Sequence, residues 1–141
     1  MMGRKVVRVS DVMSTSLHMV SGLASVQEAI TEMKRHNVSS LIIDRRDKDD
    51  EFGVITVHDI ASKVVAENKS TERTSIYEVM TKPALTLDLD MNAKYAIRLL
   101  SRFRLARALV TYGEELRGIV TLRDMVLGYV DLEEPAPNTG G

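Results

Sequence analysis

The sequence predicts a mixed α/β fold of two tandem β-α-β-β-α repeats, packed sheet to sheet with pseudo-twofold symmetry. Three observations carry that expectation. The phrase "GVITVHDI" at 53–60 is written again as "GIVTLRDM" at 118–125. Sliding the chain by 67 places residues 9–44 on 76–111, with Val12-Met13 on Val79-Met80 and Ala29-Ile30 on Ala96-Ile97. Beyond that the offset falls to 65, because the first copy carries extra residues in the polar turn "RRDKDDEFG", and surface turns tolerate insertion. Within each copy the apolar period then switches between helix and strand in the same order.

Each copy opens with a short extended piece, at 17–20 and at 85–87. A helix follows at Ser25, where Glu28 three residues on completes a capping-box pattern; Asn92 is the matching cap in the second copy. Val26, Ala29, Ile30 and Met33 form one helical stripe, repeated by Ala93, Ala96, Ile97 and Leu100. Two aliphatic strands come next, at 41–43 and 54–57, and at 108–111 and 118–122. Continuous apolar runs suit strands covered on both faces. A second helix is expected near Asp59 and near Asp124, with Ile60, Val64, Met125 and Tyr129 inward. One such unit has a small core and a bare sheet, which is why the copies should pack together. The copies are expected at 1–68 and 76–131, joined by a polar linker at 69–75 and followed by a flexible Pro/Gly-rich tail at 132–141.

Composition narrows the function. The chain has 141 residues, 44% hydrophobic and 28% charged, with a net charge of −1. That balance gives no bias toward nucleic acid or anionic membrane, so an anion site would have to be local. No apolar run is long enough to span a bilayer, and the basic N-terminus lacks the apolar core of a signal peptide. There is no Cys, hence no disulfide or thiolate chemistry, in keeping with a cytoplasmic protein. Four Tyr, two Phe and no Trp leave little for a surface that stacks single-stranded nucleic acid. His18, His36 and His58 lack metal-ligand spacing, and no metal is expected. No nucleophile–base pair or Walker-type loop is present, so the chain reads as a binding protein rather than an enzyme. Arg102, Arg104 and Arg107 form a basic cluster that reads as a solvated face, with Arg104 or Arg107 open to a phosphate contact. The turn "RRDKDDE" reads as solvated.

The doubled phrase has two readings. Thr-x-x-Asp at a helix start is a capping box, in which both side chains satisfy free N–H groups. The same start also suits a nucleotide. Unpaired N–H donors and a Thr hydroxyl favour phosphate, while a carboxylate accepts from both ribose hydroxyls.

"VMSTSL", "SVQEAI", "NVSSLIID" and "GVITVHDI", followed by "VMTKPAL", "NAKYAI", "LARALVT" and "GIVTLRDM", resemble the two copies of a CBS-domain pair, or Bateman module. The resemblance covers about residues 9 to 130. It departs from the family pattern where Leu41 and Ala108 stand in place of the usual Pro. It implies a stand-alone regulatory module that binds AMP, or ADP or ATP, in clefts that draw on both copies. Carried over, one cleft would use Thr121 and Arg123 at phosphate and Asp124 at ribose, with Ser14, Leu17, Met19, Val38 and Ser39 at the adenine end. The other would use Thr56, His58 and Asp59, with Thr81, Ala84, Thr86, Leu105 and Ala106. Arg123 is a fixed cation where the other cleft has His58, so the second-copy cleft is expected to bind more tightly. The resemblance further implies a homodimer formed through exposed helices and an effector protein as partner. A ligand-free oligomerisation module is the alternative, as is the same fold binding S-adenosylmethionine or a nucleic-acid strand.

Overall fold

The computed structural model describes residues 6–133. In chain order the elements are α1 (Val9–Val12), β1 (Met19–Val20), α2 (Val26–His36), β2 (Ser40–Ile43), β3 (Gly53–Thr56) and α3 (Val57–Ile60), which runs on as a π-helical turn over Ala61–Val65. A 3-10 turn (Ile76–Glu78) leads to β4 (Thr86–Asp88), α4 (Ala93–Phe103), β5 (Arg107–Tyr112), β6 (Glu115–Thr121) and α5 (Leu122–Glu133). Each copy makes a three-stranded sheet, β1-β2-β3 and β4-β5-β6, in which the first pair is parallel and the second antiparallel. Register repeats as well: Ser40 faces Thr56 and Arg107 faces Thr121.

The chain condenses into two compact units that do not follow the order of the copies. One is the continuous stretch Leu17–Ala84; the other joins the chain up to Ser16 to the chain from Leu85 onward. Each copy's leader, the segment before its first strand, therefore belongs with the body of the other copy.

In the Leu17–Ala84 unit, α2 buries Val26, Ala29 and Met33 against Leu41, Ile43 and Ile55 of the sheet and Ile60 and Val64 beyond it. Ile76 and Val79, from the second copy's leader, complete that cluster. Ser25 Oγ accepts from the Glu28 N–H at 3.1 Å. The next free donors of α2 go to the linker: Val26 N–H donates to the Thr74 carbonyl at 2.8 Å and Gln27 N–H to that of Thr71 at 2.9 Å. Backbone donors that would otherwise be left over at a helix start are thus satisfied by chain from the segment expected only to connect the copies.

The other unit repeats the arrangement. Asn92 Oδ1 accepts from the Lys94 N–H at 2.9 Å, and Ala93 N–H donates to the Val7 carbonyl at 2.8 Å. Val9, from the first copy's leader, lies fully buried with Leu87, Ala96, Leu100, Ala108, Val110, Val120 and Met125. Gly128 of α5 leaves room for Val12 of α1 to pack upon it. Ile42 and Leu109 stand between core residues of β2 and β5 and are buried on the opposite face, so these strands are covered on both sides.

Several boundaries and one burial differ from the expectation. Val57 and Leu122, assigned to strands, are the first residues of helices, because Thr56 and Thr121 already cap them. The second helices thus start two residues earlier than Asp59 and Asp124. Tyr129 is half-buried rather than part of the core. α5 continues through Glu133, into the segment expected as tail; the remainder of that tail lies outside the described residues.

The turn expected to be solvated is also partly tied down. The Asp50 carboxylate accepts from Lys82 Nζ at 2.6 Å and from Arg46 Nε at 3.1 Å, fastening the turn to the second copy's leader. The Lys82 ammonium, with the Arg46 backbone N–H and guanidinium, holds the Asp50 carboxyl well below the usual carboxylate range.

Candidate functional site

The doubled phrase forms two strand-to-helix junctions, each crossed by a leader. At the second junction Ser14 and Ile119 exchange backbone hydrogen bonds, N–H to carbonyl, at 2.8 and 3.0 Å. At the first, Thr81 and Val54 do the same at 2.9 Å in both directions. The glycine that opens each phrase exists for this crossing. A methyl at Gly118 would sit 2.7 Å from the Ser14 carbonyl oxygen, and one at Gly53 would sit 3.1 Å from that of Thr81. Ser14 and Thr81, 67 residues apart, are thereby laid beside the strand that ends in Thr121 or Thr56.

Beyond the crossing the two junctions differ. At the first, Thr56 and Asp59 form a reciprocal capping box: Asp59 N–H donates to Thr56 Oγ1, and Thr56 N–H donates to the Asp59 carboxylate, both at 3.0 Å. The Asp59 side chain is only 14% exposed, and Lys63 Nζ lies 3.7 Å from it. That carboxylate is engaged. At the second junction Asp124 N–H likewise donates to Thr121 Oγ1 at 3.0 Å. Its carboxylate, however, is 52% exposed, with the largely solvated Arg123 guanidinium 3.6 Å away. An exposed carboxylate can accept from a diol, while the cation and the hydroxyl beside it can hold a phosphate.

The structure sorts the candidate residues by unit. Ser14, Thr86, Leu105, Ala106, Thr121, Arg123 and Asp124 belong to one; Leu17, Met19, Val38, Ser39, Thr56, His58, Asp59, Thr81 and Ala84 belong to the other. Next to the second junction, the Ala106 carbonyl accepts from the Leu122 N–H at 2.7 Å, while Leu105 and Thr86 are exposed. Next to the first, the Ser39 carbonyl accepts from the Val57 N–H at 2.9 Å, Val38 packs on the core, Leu17 is half-buried and Met19 is exposed. Ala84 is buried, and its N–H donates to the Phe52 carbonyl at 2.8 Å. His58 is exposed.

Lys63 is the residue that sequence reasoning passed over. Besides flanking Asp59 it donates to the Val79 carbonyl at 3.2 Å, tying α3 to the leader. The signal was the Asp-x-x-x-Lys spacing, which puts both side chains on one helix face. The corresponding residue of the second copy is Gly128, which has no such reach.

Comparison with known proteins agrees with this architecture. The CBS domain family model matches residues 9–66 and 76–131. An uncharacterized protein of Methanopyrus kandleri is 30% identical over 70% of this chain, and the chain spans 50% of that relative's length. A hexameric CBS-CP12 protein from bloom-forming cyanobacteria superposes with a TM-score of 0.87 at 28% identity, covering 96% of this chain and 80% of that one. The CBS domain pair of protein MJ0100, solved in complex with 5'-methylthioadenosine and S-adenosyl-L-methionine, superposes with a TM-score of 0.77 at 26% identity over 90% of this chain and 98% of that one. Among the described residues no helix is long and apolar enough to cross a membrane. With both copies matched in sequence and both sheets matched in structure, the chain belongs to the CBS-domain family, as a tandem CBS pair.

Proposed function

We propose that this CBS pair is a regulatory module that binds an adenine nucleotide, AMP in preference to ADP or ATP, and passes the signal to a partner protein without catalysing a reaction. The observation that carries the reading is the exposed Asp124 carboxylate at a helix start, with Arg123 and Thr121 beside it, at a junction whose strand Ser14 crosses at Ile119. Asp124 takes the ribose hydroxyls, Arg123 and the Thr121–helix start take the phosphate, and Ser14 lies at the rim. Asp59 is already committed to its cap, so the second-copy site is the tighter one. Ligand held by this site favours one arrangement of the chain over another, and a partner reads the difference. Self-association as a homodimer completes the proposal, tested by sedimentation of the purified chain.

The MJ0100 pair binds 5'-methylthioadenosine and S-adenosylmethionine, which supports adenosyl chemistry and favours a second reading, in which the ligand carries no phosphate. Arg123 separates the two. A thermal-shift panel of AMP, ADP, ATP, adenosine and S-adenosylmethionine tests both, because a ligand specific to the folded state raises the melting temperature. AMP should give the largest shift, and Arg123→Ala should reduce the AMP shift more than that of adenosine. Equal shifts for AMP and adenosine, or a larger one for S-adenosylmethionine, overturn the nucleotide reading. A panel with no shift leaves a ligand-free module.

A further inference from the structure

Lys63 lies on the π-helical turn that continues α3, and its ammonium reaches two acceptors from different parts of the chain. It stands 3.7 Å from Asp59 Oδ1 and donates to the Val79 carbonyl of the second copy's leader at 3.2 Å. The other oxygen of the Asp59 carboxylate accepts from the Thr56 N–H at 3.0 Å. One oxygen thus serves a cap and the other faces a cation. An i, i+4 ion pair on an open helix face contributes little and by itself signifies nothing. This pair differs on two counts: Asp59 is largely shielded from water, and Lys63 also binds backbone outside its own helix.

The chemistry of the donors says what Lys63 displaces. A ribose diol offers two O–H donors to a carboxylate, and an ammonium offers N–H donors with a full positive charge. Both call on the same acceptor. A donor tethered to the chain acts at an effective concentration on the order of millimolar, so a free nucleotide meets a rival that does not diffuse away. The leader that Lys63 holds is fastened twice more, by Lys82 Nζ to Asp50 at 2.6 Å and by the Ala84 N–H to the Phe52 carbonyl at 2.8 Å. All of these residues belong to the Leu17–Ala84 unit. In the second copy Gly128 stands at the position of Lys63, and in the first copy's leader Thr15 stands at that of Lys82. Neither ammonium tie can form at the Asp124 junction, where the carboxylate is open.

We propose that Lys63 is a built-in occupant of the first junction, holding the carboxylate oxygen that a ribose would need and pinning the second copy's leader, so that it limits the chain to one nucleotide, bound at Asp124. This rests on the reading of the chain as an adenine-nucleotide module, and it adds the number of sites and the residue that sets it.

The test is a calorimetric titration of the full chain with submillimolar AMP. The parent should take up one AMP per chain. Lys63→Met, which keeps the aliphatic stem and loses the ammonium, should take up two, the second more weakly. Lys63→Gln is an independent second variant and should do the same. Adding Asp59→Ala to Lys63→Met should remove the gained event. Hydrogen exchange supplies a readout without ligand. Lys63→Met should speed exchange of the Val54 and Thr81 amides, which bond across the first crossing, and leave those of Ser14 and Ile119 at their parent rates, which also shows that the variant folds. A parent that takes up two AMP overturns the proposal. So does a gain of no event in both variants, a gained event that survives Asp59→Ala, or unchanged exchange at Val54 and Thr81. A parent that takes up none while Lys63→Met takes up one would overturn the Asp124 reading alone and keep Lys63 as the residue that closes the first junction.

Discussion

Gly118 and Gly53 do the same job under different tolerances. A methyl at Gly118 would press at 2.7 Å on both the Ser14 carbonyl oxygen and Met13 Sδ, and the backbone contact cannot swing aside. Gly118→Ala should therefore lower stability by about 1–3 kcal/mol in urea unfolding, the usual cost of overpacking. Gly53→Ala, whose nearest contact is 3.1 Å, should cost less. A charged residue offers a pH test. The Asp50 carboxyl is held below its ordinary range by Lys82 and Arg46, so the folded form ionises more readily than the unfolded one. That contribution is fully present above the unfolded carboxylate pKa, about 4, and is lost as pH falls below it. Melting temperatures of the parent and Asp50→Asn should thus differ at neutral pH, draw together as pH falls below about 4, and meet only in strong acid, once the folded carboxyl is protonated too. A difference that does not narrow at all below about pH 4 would refute the ion pair's role. Asp124→Ala should weaken AMP binding by about 1–3 kcal/mol, read as a lost thermal shift; an equal drop in melting temperature with and without AMP would make Asp124 only a cap.

The elements show where a sequence informs and where it falls silent. Both copies of the helix–strand–strand core could be read from apolar period. Arg123 against His58 set the two helix starts apart in sequence, but the different states of their carboxylates did not show, since each spells Thr-x-x-Asp. What separates them is the rest of the turn: Lys63 reaches back to Asp59 and to Val79, whereas Gly128 stands in its place beyond Asp124. Polar composition concealed two further facts. Thr71 and Thr74 look like spacer residues, yet their carbonyls finish α2, because hydrogen bonds from the backbone leave no mark on side-chain identity. The charged turn looked solvated, yet Lys82, 32 positions away, holds its Asp50. At this scale the reciprocal cap gives the clearest test. Thr56→Ala should cost about 1 kcal/mol of stability by chemical denaturation, in line with loss of an N-cap, and it should leave AMP binding at the Asp124 site unaltered.

For the molecule as a whole, repeat boundaries in sequence and compact units in space are different divisions. Ile76 and Val79 complete the core built around α2, and Val9 completes the one built around α4. Burying a side chain such as Ile76 contributes about 1.5–3 kcal/mol, a large part of the stability of so small a unit. Two fragments of equal length should therefore behave differently. Residues 17–84 hold their full hydrophobic cluster and should show a cooperative melt by circular dichroism. Residues 1–68 lack Thr74, Ile76 and Val79 and should not; a matching melt would mean that the leader is dispensable. The lending of leaders has a further outcome for any chain carrying one repeat alone. Such a chain would keep an empty groove over its own glycine and a loose leader with nothing to lie on, so two molecules could meet both needs by trading those segments. Domain swapping between single repeats would then yield the fold that this chain reaches by itself, and covalent joining of the copies would free it from dependence on concentration.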